Sequence, residues 1–182
     1  MNALSVSKID KAYKVLKNLI IETPLITNDK INNLYDAKVY FKLENLQKTG
    51  SFKIRGATYK LSLLSKTQKK KGVVAYSSGN HGQAVAFAAK QLGIDATIIM
   101  PQNAPNIKKL NTKKLGAKVI LYDPKKQIRE KIGNEISKKK GKILIKPYDD
   151  IDIISGQGTL GKEIVNSLNK IKIIPDIYLC CV

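Results

Sequence analysis

A lysine at the start of a predicted helix is the first candidate for chemistry in this sequence. In the segment ENLQKTGSFKIRGA (residues 44–57), Gly50 breaks the chain and Ser51 can cap a helix that we expect to run to about residue 64. Lys53 then lies in the first turn, where a cation is disfavoured because the helix N-terminus is electrically positive. An amine kept there is a candidate for Schiff-base formation. From the neighbouring residues alone, the simpler interpretation is favoured, namely that Lys53 is one of the many surface lysines of this chain.

A turn rich in small polar residues is the second candidate. In the segment SSGNHGQA (residues 77–84), residues 77–82 connect a predicted strand to a predicted helix, and we name them the SSGNHG turn. Gly79 and Gly82 allow the backbone to approach an anion closely, while free N–H groups and the helix dipole favour a carboxylate or phosphate. The alternative is an ordinary turn between a strand and a helix, capped by Asn80.

An alternation of short apolar runs and longer amphipathic runs must position both segments. From residue 72 onward the sequence predicts β-α-β-α-β-α-β, which implies an α/β fold with an open parallel sheet of four strands and helices on both faces. The predicted strands are residues 73–76, 96–100, 119–122 and 143–145. The predicted helices are residues 83–92, residues 106–115, and a helix with Pro124 in its first turn that ends near residue 139.

The flanking regions are less regular. The pattern predicts a helix over residues 7–20, a strand over 38–44, a glycine-rich turn at 155–158 (SGQG) and a helix over 159–168. Residues 177–182 have the composition of a strand. In open parallel sheets the ligand loop follows the carboxyl end of a strand, and here the sequence stops at that point. We therefore expect a fragment or a truncated gene product.

Charge and cysteine content exclude several classes of function. The chain has 33 basic and 14 acidic residues, a formal net charge of +19, one His and two Cys. A zinc site of Cys and His needs four such ligands together, so we expect no metal site. Arg55 and Arg129 are the only arginines. Proteins that read nucleic acids usually depend on arginine, so we expect no specific nucleic-acid partner.

The sequence also predicts a cytoplasmic protein with no membrane association. No apolar run approaches the length of a membrane span, and the N-terminus lacks the apolar core of a signal peptide. Cys180 and Cys181 are neighbours, so they would point to opposite faces of a strand and cannot readily pair. So few cysteines in a chain of this length suggest a reducing compartment.

Together, the two segments resemble the fold-type II pyridoxal-phosphate enzymes, in the group of serine/threonine dehydratases and serine racemases. The resemblance covers almost the whole chain. Its motifs are TPL (23–25), KTGSFKIRGA (48–57), SSGNHGQA (77–84), MP (100–101), AP (104–105), LGA (115–117), PYDD (147–150) and GQGT (156–159). The implied fold is tryptophan synthase β-like with an incomplete large domain. Residues 1–71 would begin the large domain, residues 72–147 would form the small domain, and residues 148–182 would return to the large one.

The resemblance implies roles for the residues of both segments. Lys53 would hold pyridoxal 5'-phosphate as a Schiff base and then act as the base on the substrate's α-carbon. Phe52 would pack beside the pyridine ring, and Asn80 would hydrogen-bond the ring hydroxyl. The residues implied to hold the substrate carboxylate are those of the SSGNHG turn: Ser77, Ser78, Asn80, His81 and Gly82.

The implied reaction is β-elimination from a small hydroxy amino acid, which gives a 2-oxo acid and ammonia from L-threonine or L-serine. One alternative is a serine racemase, because Ser78 stands where racemases of this group carry a second catalytic acid/base and many dehydratases have alanine. The other is an inactive remnant, because relatives continue after a strand like residues 177–182 into a glycine-rich loop that binds the cofactor phosphate. Besides the amino acid, the implied partner is a second copy of the chain or a complementing C-terminal fragment.

Overall fold

A parallel sheet covered by helices is the centre of the fold. The structure is a computed structural model that describes residues 3–180. Its strands are β1 (Leu25–Thr27), β2 (Tyr40–Lys42), β3 (Val73–Tyr76), β4 (Ala96–Pro101), β5 (Lys118–Tyr122) and β6 (Ile143–Leu144). Its α-helices are α1 (Val6–Leu16), α2 (Asp29–Tyr35), α3 (Lys53–Ser62), α4 (Lys66–Lys71), α5 (Asn80–Gln91), α6 (Asn106–Lys114), α7 (Arg129–Lys140) and α8 (Ile151–Lys170). A short 3₁₀ helix, Glu44–Leu46, follows β2.

The order of the strands confirms the predicted α/β topology. The sheet runs β5-β4-β3-β6, and each neighbouring pair is parallel. Strands β3 and β4 are buried along their whole length, because a parallel sheet is covered on both faces. This burial explains their unbroken apolar sequences. The SSGNHG turn follows the carboxyl end of β3, which is the edge where ligands bind in open α/β sheets.

Successive side chains of β3 meet two different layers of helices. Val73 and Ala75 belong to a core cluster that includes the alanines of α5. Val74 and Tyr76 belong to a second cluster, which includes Ile132 of α7. The alternation follows from the two-residue period of a strand, and it confirms the prediction of helices on both faces.

Helix α3 lies between α5, which packs on the sheet, and α8. It packs against α5 on one side and α8 on the other, and α1 packs against α8. Ile54 and Leu61 of α3 and Ile153 of α8 are buried in the same cluster as Val73. The start of α3 is thereby fixed next to α5. The division of the chain at residues 71 and 147 stays a prediction.

The SGQG segment was wrongly predicted to be a turn. Helix α8 runs through it without a break, from Ile151 to Lys170. A Cβ on Gly156 would lie 2.6 Å from the Cα of Gly56, so the backbones of α8 and α3 touch at this point. A glycine in a helix interior costs about 1 kcal/mol relative to alanine, and this close crossing explains why the sequence keeps it.

Other predicted boundaries also differ from the structure. The first helix ends at Leu16, and the strand predicted over residues 38–44 is only Tyr40–Lys42, paired antiparallel with β1. Pro124 does not start α7, because the carbonyl of Asp123 accepts hydrogen bonds from the N–H groups three and four residues later and closes a separate turn. Residues 177–180 form no strand, and residues 181–182 lie outside the described residues. None of the helices in residues 3–180 is long and apolar enough to cross a membrane.

Candidate active site

Lys53 is the first residue of α3, in agreement with its predicted place in the first helical turn. Its side chain is half-buried, and Nζ lies 5.1 Å from the centroid of the Phe52 ring, within cation–π range. The predicted cap is wrong, because Phe52 rather than Ser51 is the N-cap residue. The Ser51 hydroxyl is instead buried without a hydrogen-bond partner in the described part of the chain. The helix therefore presents Lys53 with no capping side chain immediately before it.

The SSGNHG turn joins β3 to α5. The N–H of Gly79 donates a hydrogen bond of 3.1 Å to Oγ of Ser77. Helix α5 begins at Asn80, three residues earlier than predicted, so Gly79 rather than Asn80 is the N-cap residue. The N–H groups of Asn80, His81 and Gly82 therefore belong to the first helical turn, where N–H groups lack intrahelical acceptors. Together with the helix dipole they favour an anion.

The residues of the turn differ in their exposure. Ser78 and Asn80 are exposed, Ser77 is half-buried and His81 is buried. Gly82 is buried as well, and a Cβ there would lie 3.0 Å from a side-chain carbon of β4. Ser78 and Asn80 are accordingly accessible to a ligand, whereas Gly82 allows α5 to approach the sheet.

His81 is a buried, neutral imidazole next to Lys53. Its Nε2 lies 3.4 Å from the carbonyl oxygen of Ile145, which can only accept, so Nε2 carries the proton. Nδ1 is buried and has no hydrogen-bond partner among residues 3–180. Burial, with a smaller effect from the positive charge of Lys53, lowers the pKa of His81 to about 4 despite the hydrogen bond to Ile145. The structure thus brings Lys53 and the SSGNHG turn within electrostatic range of each other.

We expect the single histidine of this chain to stay neutral down to about pH 4 in the folded state. The unfolded chain binds a proton at His81 near pH 6.5, whereas the folded chain does so only near pH 4. The free energy of unfolding therefore decreases as the pH falls from above 6.5 toward 4. The loss amounts to about 2 kcal/mol between about pH 7.5 and pH 5. The imidazole NMR signal needs no assignment, since there is one histidine. A titration midpoint near 6.5 in the folded protein would contradict the buried position.

A second cation, which was not predicted from the sequence, lies beside the SSGNHG turn. Nζ of Lys108 lies 3.3 Å from the position that a Cβ would take on Gly79. Lys108 is the third residue of α6, so it shares with Lys53 the disfavoured placement of a cation in a first helical turn. The same signal could have found it. Its charge adds to the attraction of the turn for an anion.

Buried polar atoms in the KTGSFKIRGA segment and in the SSGNHG turn provide a test of whether a polar cofactor fits. Oγ1 of Thr49, Oγ of Ser51 and Nδ1 of His81 are buried, and none has a hydrogen-bond partner within residues 3–180. Buried polar atoms are normally hydrogen-bonded, so these three atoms are free to bond a polar ligand. An aldehyde cofactor linked to the Lys53 amine fits these residues. Among residues 3–180 the structure shows no group of three or more His, Cys, Asp or Glu side chains placed to hold a metal ion.

Comparisons with known sequences agree with this chemistry. A family model described as "Pyridoxal-phosphate dependent enzyme" matches residues 16–182. The chain is 47% identical over 156 residues to serine racemase of Schizosaccharomyces pombe, which covers 86% of this chain and 48% of that protein. It is 45% identical over 166 residues to "L-threonine dehydratase catabolic TdcB" of Staphylococcus aureus, which covers 91% of this chain and 48% of that protein. The chain spans about half the length of these curated relatives.

Solved structures give the same result for the fold. Maize serine racemase superposes with a TM-score of 0.89 at 38% identity, over 93% of this chain and 51% of that one. The processed form of threonine deaminase isoform 2 from Solanum lycopersicum superposes with a TM-score of 0.80 at 34% identity, over 90% of this chain and 49% of that one. The tryptophan synthase β-like fold inferred from the sequence is therefore correct, and the chain carries part of it.

Proposed function

This chain belongs to the family of pyridoxal-phosphate dependent enzymes, and we propose that it acts as an ammonia-lyase that converts L-threonine or L-serine to a 2-oxo acid and ammonia. The observation that carries the proposal is the placement of the Lys53 amine within electrostatic range of the SSGNHG turn, whose buried, neutral His81 lies in the first turn of α5. The proposal concerns a protein of the relatives' full length, of which this chain supplies about half.

Lys53 is proposed to carry the cofactor and to move the proton. Pyridoxal phosphate, when bound, withdraws electrons from the bonds at the substrate's α-carbon. The half-buried Lys53 amine accepts the α-proton, a role that its position at the uncapped N-terminus of α3 allows. Phe52 would pack against the ring of the bound cofactor, and the exposed Asn80 side chain would hydrogen-bond its ring hydroxyl. His81 remains neutral and adds no further positive charge beside Lys53.

The SSGNHG turn is proposed to hold the substrate carboxylate. The first-turn N–H groups of α5 favour an anion, and the hydroxyls of Ser77 and Ser78 lie in the same turn. The positive charge of Lys108 next to Gly79 adds to the attraction for a carboxylate. A carboxylate held here fixes the α-carbon relative to Lys53, and such positioning supplies a large part of the rate gain in many enzymes.

The overall reaction conserves all atoms of the substrate. Loss of the α-proton and of the β-hydroxyl releases water, and water then replaces the amino group as ammonia leaves. L-threonine thus gives 2-oxobutanoate and ammonia, and L-serine gives pyruvate and ammonia. The similarity to proteins named L-threonine dehydratase supports this reaction. A cytoplasmic location and a partner that completes the site, either a complementing C-terminal segment or a second copy, are part of the same proposal.

The proposal is tested on a reconstituted protein, which we define as this chain joined to the C-terminal half of the S. aureus dehydratase. With pyridoxal phosphate added, it should release 2-oxo acid from L-threonine or L-serine at about 1–1000 turnovers per second. A folded reconstituted protein that binds the cofactor and releases no 2-oxo acid from either amino acid would contradict the proposal.

A serine racemase is the second candidate, and Ser78 is the observation that favours it. Ser78 is exposed in the SSGNHG turn, so its hydroxyl can reach a ligand. Racemisation needs a proton donor on the face of the α-carbon opposite the base, whereas dehydration of an L-amino acid does not. The similarity to proteins named serine racemase supports this alternative.

Ser78→Ala separates the two functions in the reconstituted protein. If Ser78 donates the second proton, the substitution should lower the conversion of L-serine to D-serine by about 100- to 10,000-fold and leave L-threonine dehydration nearly unchanged. Chiral chromatography and 2-oxo acid release measure the two rates. Ser77→Ala is the matched control, because it removes the hydroxyl that accepts from Gly79 and should slow both reactions alike. Equal losses in Ser78→Ala would assign that hydroxyl to carboxylate binding instead.

A further inference from the structure

The guanidinium of Arg55 is buried and uses all of its donors. The side chain has no solvent exposure. Nε and Nη2 donate to the two carboxylate oxygens of Glu44 at 2.9 and 2.7 Å. Nη1 and Nη2 donate to the two oxygens of Glu163 at 2.7 and 2.8 Å, and Nη1 also donates to Oγ1 of Thr159 at 3.2 Å. Arginine has five N–H donors in a planar fork, so this site satisfies every one of them.

The cluster around Arg55 is electrically balanced. Lys42 adds a second cation, with Nζ 2.6 Å from Glu163, so two cations face the two carboxylates. Thr23 donates to Glu44 at 2.5 Å. Burial favours a raised pKa for the Glu44 carboxyl, but the hydrogen bonds from Arg55 and Thr23 outweigh it and the pKa lies below its ordinary value. A buried ionic cluster of this kind is weak evidence for stability, because desolvation offsets much of the attraction. Its directional hydrogen bonds do fix geometry.

The cluster holds the turn of α3 that carries Lys53. Arg55 is two residues after Lys53. Next to it, the N–H of Gly56 donates to Oε1 of Gln157 at 3.2 Å, and Gly56 touches the backbone of Gly156. The first turn of α3 is thus attached to α8 by side chains and by backbone contact, and to the 3₁₀ helix through Glu44.

We propose that Arg55 is a positioning residue, which directs the Lys53 amine toward the SSGNHG turn by locking the first turn of α3 to α8 and to the 3₁₀ helix. The inference rests on the proposed function, in which Lys53 is the reacting amine. A positioning role explains why this segment has a buried arginine, which a gain in folding stability does not explain. Lysine cannot replace it, because an ammonium lacks the planar fork that engages two carboxylates at once.

The test follows the position of the Lys53 amine directly and needs no cofactor or turnover. Reductive methylation converts the lysine amines of the 182-residue chain to ¹³C-dimethylamines, and the Lys53 signal is identified by its loss in Lys53→Arg. Because Nζ lies 5.1 Å from the Phe52 ring, the ring should displace this NMR signal from those of exposed lysines. Phe52→Leu should abolish the displacement and thereby establish its origin.

Two variants break the cluster in different ways. Arg55→Met/Glu163→Met removes one charge of each sign and leaves Lys42 with Glu44, so the site stays neutral. Replacing a buried ion pair by apolar side chains is often tolerated, which favours a folded protein. Glu163→Gln keeps the size of the side chain and removes one charge. Asp152→Asn is the matched control, because it weakens a 2.8 Å contact between α8 and Lys60, about two turns further along α3.

The inference predicts that the Lys53 signal loses most of its displacement in both cluster variants while helical circular dichroism is retained, and that it keeps its displacement in Asp152→Asn. If the double variant does not fold, Glu163→Gln decides. A folded cluster variant whose Lys53 signal stays displaced would overturn the inference, as would a wild-type signal at the position of the exposed lysines. Failure of the proposed function appears separately, as absent 2-oxo acid release in the reconstituted protein.

Discussion

Replacing Lys53 with alanine is expected to lower 2-oxo acid release by the reconstituted protein by at least about 1000-fold, because the substitution removes both the cofactor linkage and the base. The loss should appear in kcat, measured by 2-oxo acid release from L-threonine at saturating substrate and cofactor. Added cofactor should not restore the rate, because the variant has no amine at the first position of α3, where the cofactor is proposed to be attached.

Lys48→Ala provides the matched control for that substitution. Lys48 is an exposed lysine in the same motif, and its Nζ donates to the carbonyl of Leu19 at 2.8 Å. Its removal should leave the rate within a small factor of wild type. A Lys53→Ala variant that retains a substantial part of the wild-type rate would show that another lysine carries the cofactor.

Gly156→Ala is expected to destabilise the chain by about 3 kcal/mol, at the upper end of the usual cost of overpacking. The new Cβ would lie 2.6 Å from the Cα of Gly56 and 2.8 Å from the carbonyl oxygen of Arg55. Both are backbone atoms, so no change of rotamer relieves the clash and α8 must move away from α3. Urea unfolding of the 182-residue chain measures the change.

Gly161→Ala tests the same substitution in the same helix without the clash. No described atom outside its own helix neighbourhood lies within 4 Å of a Cβ at Gly161. Alanine is the better helix former by up to about 1 kcal/mol, so this variant should be slightly more stable than wild type. Similar effects at the two positions would contradict the close crossing of α3 and α8.

The elements predicted best are those whose burial is uniform. The first strand of the sheet was predicted as residues 73–76 and is Val73–Tyr76. The second was predicted as residues 96–100 and is one residue longer, Ala96–Pro101. Both lie in the middle of a parallel sheet, where an unbroken apolar run bounded by glycine or proline has few other interpretations. The place of Lys53 in the first turn of a helix was also predicted from its neighbours alone.

What the sequence could not reveal depends on contacts between distant residues. The SGQG segment has the composition of a turn, but it lies inside α8, where α3 packs against Gly156. The pairing of Arg55 with Glu163 joins residues 108 positions apart, and no local pattern reports such a contact. The start of α5 was placed too late for a related reason, because small polar residues favour turns in isolation but here begin a helix packed on the sheet.

The central claim is that Lys53 is the amine that binds pyridoxal phosphate, and borohydride reduction tests it most directly. The reconstituted protein is incubated with pyridoxal phosphate, reduced and digested, and the labelled peptide is sequenced by mass spectrometry. We predict a single labelled peptide, with the label on Lys53, and no labelled site in its place in Lys53→Ala. Label on a different lysine, or label spread over the many lysines of this chain, would contradict the claim.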